Sequence, residues 1–227
     1  MNTIKGILFD LDQTLVDRSQ SLQKFLTWQW HECTPLQAMP FNIFQEKFTT
    51  LDDNGKLWKK DVYDKLLNDL SIDHISPDLL EKSYITNFSD HAILFPDVIE
   101  TLNSFKRNQV KLGIITNGRK DLQSAVIKNC HLHNIMDVVL ISETEKIKKP
   151  DPHIFETALS NLGLVNQSCA FIGDNPYADI FGANKVGMKT VWKKNNLFPL
   201  PDKSITSATF EEFIELSQII SSLGKTY

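Results

Sequence analysis

Asp10 and Asp12 stand two positions apart in Phe-Asp-Leu-Asp-Gln-Thr, directly after a short apolar run. Side chains two apart in an extended segment point the same way. Two carboxylates held together repel unless a cation compensates or one is protonated. A divalent metal takes oxygen ligands of this kind. Alternatively, one carboxylate attacks while the other moves protons. As an isolated pair they equally suit helix capping, with Asp12 or Thr14 as the cap of whatever follows.

Three further stations carry polar residues after apolar runs. Ile115-Thr116-Asn117-Gly118 offers a hydroxyl, an amide and a flexible glycine, which can bind an oxyanion through side-chain and backbone donors. Alone, it reads as a capped strand-to-helix turn. Lys148-Lys149-Pro150-Asp151-Pro152 keeps the chain extended until Pro152 can open a helix, which places Lys149 at a sheet edge. Alone, a Lys pair is a solvated face. Phe171-Ile172-Gly173-Asp174 is followed five residues later by Asp179. There the plain alternative is Asp179 as a helix-start charge favoured by the dipole.

The elements that must position these residues are legible as patterns. Apolar runs at 4–9, 110–116, 138–142 and 169–172, with a weaker one at 189–192, read as strands buried on both faces. Helical patterns at 97–107, 121–130, 152–162 and 178–185 lie between them. Strand alternating with helix predicts a parallel sheet covered by helices on both faces, with right-handed crossovers. Residues 16–92 break this rhythm. Apolar spacings of three and four, punctuated by Pro35, Pro40, Asn54-Gly55 and Pro77, predict an insert of about four helices. Its Trp28, Trp30, Trp58, Phe41, Phe44 and Phe48 are read as the insert's own core in preference to a wall for a sugar or base. The insert has 8 basic against 12 acidic residues, whereas the rest of the chain balances at 16 each.

Ligands of open parallel sheets bind beyond the carboxyl ends of the strands. Four such ends, in order, supply an acid pair, a hydroxyl, a lysine and a second acid cluster. Those are parts for metal-assisted phosphoryl transfer. Composition excludes other classes. A net charge of -4 and a pI near 5.9 argue against a nucleic-acid partner. No apolar run approaches the roughly 20 residues that span a bilayer, and Asp10 interrupts the first apolar run before it could act as a signal-peptide core. Cys33, Cys130 and Cys169 form neither a disulfide framework nor a zinc pattern, which points to a reducing cytoplasm. His131 and His133 lack metal-ligand company and read as structural or surface residues.

With all four stations in order over residues 4–192, the sequence resembles the haloacid dehalogenase superfamily, in its branch with a helical cap inserted after the first motif. Asp10-Leu11-Asp12-Gln13-Thr14 resembles the first motif, Thr116-Asn117-Gly118 the second, Lys149-Pro150 the third and Gly173-Asp174 through Asp179 the fourth. Gln13 departs from the commonest pattern, which has glycine there, and is read as a local turn difference.

The resemblance implies a Rossmann-like α/β core at 1–15 and 93–227 and an all-helical cap at 16–92. It implies a phosphatase in which Asp10 attacks phosphorus to form an aspartyl-phosphate. Asp12 would protonate the leaving alcohol and then deprotonate water. Mg2+ would be held by the carboxylates of Asp10 and Asp174 and by the backbone carbonyl of Asp12. Thr116, the Asn117 amide and Lys149 would hold the phosphoryl oxygens, with Gly118 beside them and Asp179 orienting Lys149 or the metal waters. Asp12 separates the classes, because dehalogenases of this fold have no acid there. A phosphomutase is the alternative activity, although Gln13-Thr14 replaces the Gly-Val common in sugar-phosphate mutases. A non-catalytic regulatory protein is a third reading, which the intact motif set opposes. The implied substrate is a small phosphorylated metabolite of sugar-phosphate, nucleotide or phosphoglycolate type. The cap would close over the leaving group, and its acidity disfavours highly anionic substrates.

Overall fold

The computed structural model describes residues 3–224. Six strands form one parallel sheet in the order β3-β2-β1-β4-β5-β6: β1 Gly6–Phe9, β2 Lys111–Thr116, β3 Val138–Ile141, β4 Cys169–Gly173, β5 Lys189–Lys193 and β6 Ala208–Phe210. All residues of β1 and β4 are buried, as continuous apolar runs in a helix-covered parallel sheet require. The expected α/β architecture is the one observed.

The chain divides into two compact units. One comprises the residues before Arg18 and from Ile93 onward; the other is Arg18–Ala92. In the first unit, Leu8, Ile115, Phe155 and Phe171 lie in one buried cluster, with Phe155 edge-on to Phe171 at 5.1 Å. Each such side chain contributes roughly 1.5–3 kcal/mol by burial. The helix Pro152–Leu162 that supplies Phe155 is delimited locally. Asp151 accepts a hydrogen bond from His153 N at 3.0 Å, Pro152 takes the first position, and Gly163 ends it at φ 63°. Leu15 and Val16 lie beside the returning chain: Phe95 N donates to Leu15 O at 3.0 Å and Asp17 N to Ile93 O at 2.8 Å.

The second unit is all-helical, with Arg18–Glu32, Phe41–Asp52, Lys59–Asp69 and Pro77–Asn87 as its α-helices. Phe25, Phe44, Phe48, Tyr63 and Leu66 are fully buried in it. Phe44 and Phe48 are thus core residues, as expected. Phe41 and the three tryptophans are only half-buried. Trp30 donates to Met39 O at 3.1 Å, Trp58 donates to Glu81, and Trp28 lies beside Phe25 and His91. Asp52 is buried between Arg18, whose guanidinium donates to it at 2.9 Å, and the Lys59 ammonium. Burial opposes the Asp52 charge, but the two cations outweigh it and hold the carboxyl below its usual range.

Several elements differ from the sequence expectation, among them the helices Ser142–Glu145 and Leu216–Leu223, which no pattern had marked. β1 starts at Gly6 instead of residue 4. The helix expected over 178–185 is a π-helical turn, Pro176–Phe181, running into Gly182–Lys185. Asn175 causes the early start, accepting from Tyr177 N at 3.0 Å and Ala178 N at 2.9 Å. β6 was not foreseen. Its three residues are too short to carry a pattern, and pairing with β5 makes it a strand.

Candidate active site

The register of the three central strands brings the polar residues together. Phe9 of β1 pairs with Ile114 of β2 and Ile172 of β4, so Asp10 leaves the sheet level with Ile115 and Gly173. Asp10 N extends the ladder to Ile172 O at 2.9 Å. The strand itself stops at Phe9; Asp10 continues its ladder, and Asp12 pairs with Val16 in an isolated bridge around the turn that Gln13 begins. Gln13 turns that chain with φ 61°, the left-handed conformation that glycine adopts most easily.

Lys149 is the centre of the cluster. Its ammonium donates to Asp10 Oδ1 at 2.6 Å and to Asp179 Oδ1 at 2.7 Å, with Phe171 beneath it at 5.3 Å. All three charged side chains are buried. Burial disfavours the ammonium, but Asp10 and Asp179 outweigh it and raise the Lys149 pKa well above its ordinary value. Both oxygens of Asp179 are engaged, because Asn175 N donates to Oδ2 at 2.9 Å. Gly173 permits this approach, since a Cβ there would collide with the Asp179 carboxylate.

Asp174 is fixed from the far side of the site. Asn195 Nδ2 donates to its Oδ2 at 3.0 Å, and Trp192 Nε1 donates to its main-chain oxygen at 2.6 Å. Burial, then the carboxylates of Asp10 and Asp179, push Asp174 up to about 9. Nearby, the buried Lys193 ammonium lies over the Phe95 ring at 3.5 Å. Burial lowers its pKa against the pull of Asp174 and Asp17.

Asp10, Asp174 and Asp179 each present a carboxylate oxygen within 4.8 Å of the others. The buried Lys149 ammonium pairs directly with Asp10 and Asp179, and the buried Lys193 ammonium lies within the field of Asp174, so three carboxylates face two cations. The surplus negative charge and the all-oxygen donor set fit a hard divalent cation. Asp12 points its carboxylate elsewhere, to Gln123, whose Nε2 donates to Asp12 Oδ2 at 3.0 Å and to Thr116 Oγ1 at 2.7 Å. The Asn117 side chain clasps the Lys149 main chain, donating to its oxygen at 3.0 Å and accepting from its nitrogen at 2.9 Å. The side-chain amide of Asn117 is thus engaged with the main chain of Lys149. Gly118 N donates to Ser142 Oγ at 3.0 Å.

Gln123, Asn195, Trp192 and Lys193 escaped the sequence reading, since none belongs to a motif. Cys130 is inert by environment: burial, then the Asp12 carboxylate, push its thiol up to about 11. His131 and His133 are exposed.

A parallel sheet whose central strands end in a carboxylate–lysine cluster defines the class, and residues 7–193 match the haloacid dehalogenase-like hydrolase family. The chain belongs to that family. It is 31% identical over 232 residues to glyceraldehyde 3-phosphate phosphatase of Pyrococcus furiosus, covering 99% of this chain and 95% of that one. It is 27% identical to the pyrimidine 5'-nucleotidase YjjG of Escherichia coli, covering 94% and 96%. Its fold is shared with the magnesium-bound HAD-hydrolase YfnB of Bacillus subtilis, with a TM-score of 0.80 at 21% identity over 96% and 99% of the two chains. Among the described residues, no helix is long and apolar enough to cross a membrane.

Proposed function

We propose that the chain is a Mg2+-dependent phosphatase that hydrolyses a small phosphorylated metabolite through an aspartyl-phosphate on Asp10. The observation that carries this reading is the buried Lys149 ammonium bridging Asp10 and Asp179 at the carboxyl edge of the sheet. Its phosphatase relatives support the reaction class.

Asp10 attacks phosphorus. Lys149 holds the nucleophile in place, and its positive charge offsets repulsion between the incoming phosphoryl oxygens and the carboxylates. The Thr116 hydroxyl and the Asn117 main-chain N–H donate to the phosphoryl oxygens. Asp12 gives a proton to the departing alcohol and then takes one from the water that opens the acyl phosphate. Asp179 keeps Lys149 oriented. The carboxylates of Asp10 and Asp174, with the Asp12 carbonyl, would hold Mg2+, which supplies further charge compensation for the phosphoryl group when bound. Residues 1–15 and 93–227 form the catalytic core in this reading, and 16–92 the cap that selects the substrate. The three free thiols suit a cytoplasmic setting.

The test is phosphate release from a panel of sugar phosphates, nucleotides and phosphoglycolate, with Mg2+ or chelator, using Asp10→Asn as the blank. Release that requires Mg2+ and Asp10 is expected. Equal release by Asp10→Asn would assign the nucleophile elsewhere.

A further inference from the structure

Gln123 is used by none of these steps, yet its amide touches two groups that they need. It lies in the helix Lys120–Asn129, where its main-chain nitrogen donates to Arg119 O at 3.0 Å. Its side chain is buried, and Nε2 donates to both Asp12 Oδ2 and Thr116 Oγ1. An amide nitrogen has two hydrogens, so one atom can serve both acceptors. A hydroxyl that accepts this bond still has its own hydrogen to donate. The space for the bridge comes from Gly118: a Cβ there would meet Gln123 Cγ at 3.0 Å and Cδ at 3.2 Å, at a backbone φ of 155°. The glycine of the second station therefore makes room for Gln123 at the site.

The residue type matters. A neutral amide can bridge a carboxylate and a hydroxyl without adding charge to an already crowded cluster. A glutamate would repel Asp12, and a lysine would compete with substrate for it as an ion pair. We propose that Gln123 is a positioning residue that ties the proton-transfer carboxylate of Asp12 to the phosphoryl-binding hydroxyl of Thr116, fixing the distance between leaving-group protonation and phosphoryl binding. This rests on the acid–base role proposed above for Asp12. Removing the bridge takes away one of the contacts that orient the Asp12 carboxylate, and misplacement of about 1 Å costs on the order of 10²-fold.

The test compares kcat/KM for an alkyl phosphate and for p-nitrophenyl phosphate, whose leaving group needs little protonation. The proteins are wild type, Gln123→Met, Asp12→Asn and the double variant, all with Mg2+. Methionine keeps the length of glutamine and removes the donors; circular dichroism and melting check each fold, and Gln123→Ala repeats the test should Gln123→Met melt early. Gln123→Met is expected to lose about 10–100-fold on the alkyl ester, to lose far less on the nitrophenyl ester, and to add little in the Asp12→Asn background. Equal losses on both esters, or full additivity with Asp12→Asn, would overturn the positioning role. If Asp12→Asn itself shows no preference between the esters, the acid–base assignment fails, and the Gln123 proposal with it. If Asp12→Asn discriminates but Gln123→Met does not, the Gln123 proposal fails alone.

Discussion

Lys149 donates its ammonium to Asp179 Oδ1 at 2.7 Å, with both side chains almost wholly out of water and thirty positions apart in the chain. Asp179 is anchored in turn by Asn175 N, so the cation rests on a partner that is itself held. Truncating one member of a buried pair strands the other charge and costs about 3–5 kcal/mol. Asp179→Ala leaves Lys149 paired with Asp10 and removes a like charge from beside Asp174, so it should cost less than that, about 1–3 kcal/mol in urea denaturation, and slow turnover. A loss below about 1 kcal/mol would show that Asp10 alone satisfies Lys149.

Asp10→Asn should abolish turnover while the fold persists. The amide oxygen still accepts from Lys149, but an amide does not form the acyl phosphate. Phosphate release should fall roughly 10³-fold or more, with an unchanged circular dichroism spectrum. Retention of a tenth of the rate would reassign the nucleophile.

Mg2+ should raise the melting temperature, because it would relieve the crowding of Asp10, Asp174 and Asp179 that pushes Asp174 up to about 9. At 100 times its dissociation constant a ligand adds about 2.7 kcal/mol. Melting scans in Mg2+ and in chelator read this directly, and turnover should vanish in chelator. Asp174→Asn should shrink the shift and need more Mg2+ for half-maximal rate. An identical Mg2+ response would place the cation elsewhere.

Asp52 should make the helical unit sensitive to acid. Its folded pKa lies below the unfolded value, so its stabilising effect is full above about pH 4 and is lost as pH falls through the folded pKa. Unfolding free energies of wild type and Asp52→Asn should differ by a constant amount at neutral pH and converge in acid. A difference that grows on acidification would reverse the sign assigned to this carboxyl.

Gly173→Ala should disturb the site more than the sheet. The added Cβ collides with the Asp179 carboxylate, which must move and release Lys149. Turnover is expected to fall on the order of 10²-fold. A variant with wild-type rate would show that Asp179 can shift without moving Lys149.

The polar stations of the candidate site were legible from the chain alone because a parallel strand buried on both faces is a continuous apolar run, and its end is where polar residues begin. Asp10, Thr116 and Asp174 each follow or close such a run, so their order and their common edge could be read before any coordinates. The insert announced itself in the same way, by helical spacing where strands were due. What the tertiary structure decided is which polar groups meet. Gln123 reaches Asp12 across 111 positions, and Asn195 reaches Asp174 across 21. No local pattern marks such pairs, since a hydrogen bond between distant segments depends on helix placement and strand register. The Asn117 side chain turned to Lys149, and β6 formed only because β5 offered an open edge. Local chemistry determined the parts and their order, while long-range packing decided their partners, because hydrogen bonds act over about 3 Å between segments that only the folded chain brings together.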